Sequence, residues 1–177
     1  MNIIPTRIPD VLSIIPETHG DERGFLFESF RDTWFPEFNF VQDNHTRSVK
    51  GTVRGLHYQL NEPQGKLIRV IRGEVFDVAV DLRKSSPTFL SWVGKRLSEE
   101  NKEIFWIPPG FAHGFMVVSE SADLIYRCTN HYAPDDEHTI LWSDKELDIA
   151  WPLERKEPIL SDKDRLGKPA HLAPHFS

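Results

Sequence analysis

Hydrophobic and polar residues alternate most cleanly between Glu74 and Arg83, where Phe76, Val78, Val80 and Leu82 interleave with Asp77, Ala79 and Asp81. Alternation of period two predicts a strand with one buried face. Further β-type runs fall at Gly24–Phe30, Thr52–Gln59, Leu67–Arg72, Leu90–Leu97, Ile104–Ile107, His113–Val118 and Leu124–Asn130. Short turns such as Arg72-Gly73-Glu74 and Pro108-Pro109-Gly110 separate them. Many short strands with close turns predict an all-β sandwich or jelly roll. Helical periodicity is scarce: short helices are expected near Asp32–Phe38 and, behind a Ser161 N-cap, around Asp162–Leu166.

Composition narrows the picture. The 177 residues, 39% of them hydrophobic, suffice for one substantial core, and no repeat or linker divides the chain, so residues 1–177 read as a single domain. The lone cysteine, Cys128, excludes an internal disulfide framework, and MNIIPTRIPD lacks the marks of a secretory signal. A cytoplasmic protein is expected. No window approaches the roughly 20 apolar residues of a membrane span, so no membrane partner is expected. A net charge of −6 without clustered Lys or Arg argues against nucleic acid as a partner. A small phosphorylated ligand stays compatible, since a few local cations suffice to hold one. Cys128 shares the strand parity of Leu124 and Tyr126 and is expected as a buried, unactivated thiol facing the same interior.

Two of the eight histidines stand in informative surroundings: His57 in Arg54-Gly55-Leu56-His57-Tyr58-Gln59, and His113 in Pro108-Pro109-Gly110-Phe111-Ala112-His113. The second is similar to the P-x-G-x-x-H pattern of cupins. In the first, Gln59 stands where a metal-binding cupin has its second histidine; in the second, Val117, four residues beyond His113, stands where the late ligand would be. Positions 57 and 59 share a strand face, but an amide is a weak ligand for most transition metals. Two histidines alone fall short of the three or four ligands a stable site needs. An isolated buried histidine is usually a hydrogen-bonded core residue. Inside a barrel and free of metal, however, an imidazole of pKa about 6.5 is suited to act as a general base.

The chain closely resembles the dTDP-4-dehydrorhamnose 3,5-epimerase family over nearly its full length. The resemblance runs through Asp21-Glu22-Arg23-Gly24-Phe25, Phe40-Val41-Gln42-Asp43-Asn44, Arg54-Gly55-Leu56-His57, Gln64-Gly65-Lys66 and the Gly73–Asp81 strand. It continues through Ser85–Phe89, Trp106-Ile107-Pro108, Gly110–Phe115, Tyr126, Ile140-Leu141-Trp142 and Leu160–Asp164. It implies a cupin-type jelly-roll homodimer, without metal or nicotinamide cofactor, that acts on a dTDP-4-keto-6-deoxy sugar whose C4 carbonyl acidifies the hydrogens at C3 and C5.

The resemblance also implies roles. His57 is the base, Asp164 orients it, Tyr126 returns a proton from the opposite face, and Lys66 stabilises the enolate oxygen. Arg23, Glu28, Gln42, Asp43, Asn44, Arg54, Lys66, His113, Glu137 and Lys163 surround the nucleotide sugar, the arginines suiting diphosphate oxygens. Some members use an N-terminal segment contributed across the dimer, which makes Arg23 and Glu28 candidates to serve the neighbouring subunit. Thr46 replaces a frequent serine and keeps its hydroxyl, and His171 and His175 are expected to be solvated.

Three rival readings stay open at this level. A related epimerase inverting only C3 or only C5 would use the same His57 and Tyr126. A metal-dependent cupin oxygenase or isomerase is opposed by Gln59 and Val117. A sugar-binding cupin without catalysis is opposed by the joint presence of His57, Lys66, Tyr126 and Asp164.

Overall fold

The computed structural model describes residues 1–154 and 156–177. Among the described residues thirteen strands follow one another: β1 (Asn2–Pro5), β2 (Leu12–Ile15), β3 (Thr18–Asp21), β4 (Gly24–Phe27), β5 (Gln42–Val49), β6 (Val53–Gln59) and β7 (Lys66–Arg72). They continue with β8 (Glu74–Asp81), β9 (Trp92–Ser98), β10 (Ile104–Ile107), β11 (Phe111–Val117), β12 (Ser121–Cys128) and β13 (Glu137–Thr139). A single α-helical turn, α1, covers Asp162–Arg165. A six-stranded sheet, β1-β2-β10-β7-β12-β5, faces a five-stranded sheet, β13-β6-β11-β8-β9, while β3 and β4 form a separate hairpin. This is the cupin-type jelly roll that the strand pattern and the resemblance led us to expect. Among the described residues no helix is long and apolar enough to cross a membrane.

The interior between the sheets is closed by Ile68, Val70, Phe105, Ile107, Ala122 and Leu124 from the larger sheet. They meet Val75, Ala79, Phe111, Phe115 and Val117 from the smaller. Burying a side chain of this size contributes roughly 1.5–3 kcal/mol. The tight β7–β8 turn depends on Gly73, at φ +76, where a Cβ would lie 2.1 Å from the Ser121 carbonyl oxygen.

The outer face of the smaller sheet is covered as well. Leu147, Trp151, Ala170 and Ala173 pack on Val53, Leu56, Val78, Val80 and Met116. This corrects the expectation that β8 buries one face only. Phe76, Val78 and Val80 lie under the C-terminal segment, and the opposite parity, which carries Asp77 and Asp81, is buried inside. Asp81 is satisfied by Arg83, Ser86 and Thr88, so its burial is compensated.

Helix is shorter than expected near residue 32, where one 3₁₀ turn spans Asp32–Trp34 before Pro36 interrupts the chain. Its aromatics dock instead: the Phe35 ring stacks on Trp106 at 4.5 Å, with Phe38 and Phe40 alongside. The Ser161 cap forms as expected, its Oγ accepting from the Asp164 amide. His175 departs from its expected solvation. It packs edge-on against Phe89, and its Nε2 is buried without a partner among the described residues.

Candidate active site

At one end of the interior the apolar filling gives way to a polar cleft of about 290 Å³. Strand parity explains which side chains reach it. From β5, Gln42, Asn44 and Thr46 point in; from β7 comes Lys66; from β12 comes Tyr126. The opposite wall is built by Arg54 and His57 of β6, His113 of β11 and Glu137 of β13, with Lys163 of α1 at the rim. Arg54 and His57 are three residues apart and should face opposite ways on a regular strand. The register between β6 and β11 shifts between His57↔His113 and Arg54↔Phe115, a bulge that brings both into the cleft.

His57 Nε2 lies 2.6 Å from Asp164 Oδ1. Asp164 also accepts from the Gly55 amide at 3.3 Å and from the Ser161 hydroxyl at 2.6 Å. Burial opposes its ionisation, but the His57, Ser161 and Gly55 hydrogen bonds prevail and hold it below the usual carboxylate range. An ionised carboxylate only accepts, so Nε2 carries the hydrogen and Nδ1 presents its lone pair. Burial pushes the His57 pKa down, partly countered by the Asp164 hydrogen bond, so the ring is neutral at pH 7.

Tyr126 faces His57 from the other sheet, and burial raises its pKa, keeping the hydroxyl protonated and able to donate. Lys66 is 9% exposed and has no ion-pair partner among the described residues. Burial lowers its pKa, while Cys128, Glu137 and Asp77 pull the other way. A buried cation without a counter-charge is prepared for an anion that forms within the cleft. Cys128 is buried beside it and accepts from Asn44 Nδ2 at 3.7 Å.

His113 Nε2 lies 3.0 and 3.1 Å from the two oxygens of the fully buried Asp77, which fixes its ring. Gln59 spends its amide on protein: it donates to the Glu62 and His131 carbonyls and accepts from the Ala133 amide. It thereby ties the two loops at the mouth of the cleft. Among the described residues no group of three or more His, Cys, Asp or Glu is arranged to hold a metal ion.

Three expected residues lie elsewhere. Arg23, 85% exposed at its side chain, pairs with Asp21 on the β3–β4 hairpin. Glu28 is exposed and pairs with Arg31. Asp43 has the wrong parity: it points to the outer face of the sheet, 4.0 Å from Arg127. Conversely, Tyr132 and Gln64 line the cleft although no role was read for them, and Asp77 supports it from behind. Gln64 lies within the Gln64-Gly65-Lys66 string. Tyr132 sits in an irregular loop, where periodicity gives no signal.

The chain matches the family model described as dTDP-4-dehydrorhamnose 3,5-epimerase over residues 5–171. It is 57% identical to the dTDP-4-dehydrorhamnose 3,5-epimerase of Pseudomonas aeruginosa, over 91% of each chain. It is 56% identical to that of Shigella flexneri, over 99% of each. The crystal structure of a Legionella pneumophila dTDP-6-deoxy-D-glucose-3,5-epimerase, in complex with dTDP-4-keto-L-rhamnose, superposes with a TM-score of 0.94 at 52% identity, covering 98% of this chain and 94% of that one.

Proposed function

The chain belongs to the dTDP-4-dehydrorhamnose 3,5-epimerase family, and from that premise we propose how its residues divide the work. The enzyme is an isomerase that converts dTDP-4-keto-6-deoxy-D-glucose to dTDP-4-keto-L-rhamnose in dTDP-L-rhamnose biosynthesis.

Inversion beside a ketone requires a proton to leave one face of the ring and another to arrive on the opposite face. The single observation that carries our assignment is the placing of His57 and Tyr126 on facing sheets across one cleft. Nδ1 of His57 takes the carbon-bound proton, and Asp164 stabilises the imidazolium that results. The electron pair moves into the C4 carbonyl, whose oxygen becomes an enolate beside the Lys66 ammonium. Tyr126 then gives its proton to carbon from the other side. Arg54, His113 and Lys163 supply positive charge or donors for the diphosphate. Gln42 and Asn44 offer amide edges at the wall, and the half-exposed Tyr132 offers a ring face at the rim.

The same reading makes the chain a single catalytic domain that works in the cytoplasm as a homodimer. The positions of Arg23 and Glu28 support the last point: Arg23 lies on a hairpin whose Phe25 and Leu26 are 62% and 70% exposed, Glu28 follows it directly, and neither lines the cleft of its own subunit, which leaves both available to a neighbouring one. Incubation with dTDP-4-keto-6-deoxy-D-glucose in deuterium oxide, without added metal or nicotinamide, tests the assignment by proton NMR. Deuterium should enter both C3 and C5, with His57→Ala slowing entry by roughly 100- to 10,000-fold. Entry at one carbon alone would mark a mono-epimerase, and binding without exchange at either would refute catalysis.

A further inference from the structure

Two inversions of one bound sugar demand more than one base and one acid can supply, an argument that rests on the epimerase reading above. After the first inversion His57 holds a proton and Tyr126 has lost one, so neither is ready for the second. Asp164 occupies Nε2, and the proton taken from carbon therefore resides on Nδ1 and must leave from there. Among the described residues the carboxylate within ion-pair reach of Nδ1 is Glu137, whose Oε1 lies 4.0 Å away. Its Oε2 accepts from the Tyr132 hydroxyl at 3.0 Å and from the Lys163 ammonium at 2.7 Å. The Glu137 side chain is 12% exposed, whereas that of Lys163 is 47% exposed. A line of polar groups thus runs from the buried base to water. A carboxylate in a cleft built for a diphosphate also repels its ligand, so its presence calls for a purpose beyond binding.

We propose that Glu137 is the relay that discharges His57 between the two inversions. Oε1, 4.0 Å from Nδ1, takes the proton by way of one bridging water, which leaves a neutral imidazole and a neutral carboxyl. The carboxyl then passes the proton to water at the mouth of the cleft, and the Tyr126 phenolate regains one from water. One proton leaves and one enters, so all three groups return to their starting charge. Burial works against the Glu137 carboxylate, but the hydrogen bonds from the Lys163 ammonium and the Tyr132 hydroxyl help to hold the group below the usual range. A proton placed there is passed on rather than kept.

The test is Glu137→Gln at saturating dTDP-4-keto-6-deoxy-D-glucose in deuterium oxide, quenched within a single turnover, with C3 and C5 read separately by NMR. The rate of deuterium entry at the second carbon relative to that at the first should fall about 100-fold from the native ratio, so that singly inverted sugar accumulates. Added formate should restore the second inversion in Glu137→Ala and leave the native enzyme unchanged. Equal slowing at both carbons, native rates at both, or no response to formate would overturn the relay. Should Glu137→Gln fail to fold, the formate experiment on Glu137→Ala decides alone. A native enzyme that exchanges at neither carbon would instead overturn the epimerase reading itself.

Discussion

Asp164 acts on His57 against the effect of burial. Burial drives the imidazole towards neutrality, while the hydrogen bond to Asp164 favours its charged form, and burial prevails. The base is therefore competent at neutral pH and is lost on acidification. We expect kcat/KM to fall below about pH 6.5 on the acid side, and on the alkaline side to fall first as the Lys66 ammonium, whose pKa burial lowers, gives up its proton, before the raised Tyr126 hydroxyl ionises. Removing the partner with Asp164→Asn takes away the influence that raises the imidazole, so the acid limb should move to lower pH while the plateau drops roughly 100-fold or more. A pH series of initial rates reads both effects, and a limb moving upward would contradict this account. Asp164, held below the usual range, contributes stability that is present above about pH 4 and is lost as pH falls through its folded value. His57 and His113 were legible as site candidates from their neighbours alone. The inward turn of Arg54 was not, because a bulge breaks the parity on which such a reading depends.

At the level of elements, the strands that fill the core announced themselves and those that line the cleft did not. Strand β5, Gln42–Val49, carries Gln42, Asn44, Thr46 and Ser48 inward and Asp43, His45 and Arg47 outward. It is polar on both faces, so hydrophobic alternation cannot reveal it. Strand β13 has three residues, too few for any period to show. In β8 the alternation was real but its meaning was reversed, since the aspartate face turns inward and a later segment covers the apolar one. That second, outer packing layer is itself sensitive. A Cβ on Gly94 of β9 would lie 2.2 Å from the Phe76 ring, on the face turned away from the cleft. Gly94→Ala should destabilise the fold by about 1–3 kcal/mol through overpacking and leave exchange kinetics at 25 °C unchanged. Chemical denaturation alongside the NMR assay would show whether stability and activity separate in this way.

Across the whole molecule, the described cleft lacks three of the residues that the family resemblance assigns to it: Asp43 points to the outer face of β5, while Arg23 lies on the exposed β3–β4 hairpin and Glu28 one residue beyond it. If that hairpin serves a neighbour, subunits carrying His57→Ala and subunits carrying Arg23→Ala, each weak alone, should complement when mixed and reassembled. A mixed dimer then holds one site with its own His57 and a native hairpin from the other subunit. Random pairing would return about a quarter of native activity; no recovery would place the hairpin in its own subunit's site.

The order of groups along the chain has a temporal side. Among the described residues all thirteen strands lie before residue 140, yet the carboxylate that orients the base arrives with α1, 107 residues after His57. During synthesis the ribosome releases every strand of both sheets before it releases Asp164. A nascent chain that has already paired its strands thus carries an imidazole with no partner, and its acid–base chemistry switches on last, when the emerging tail docks.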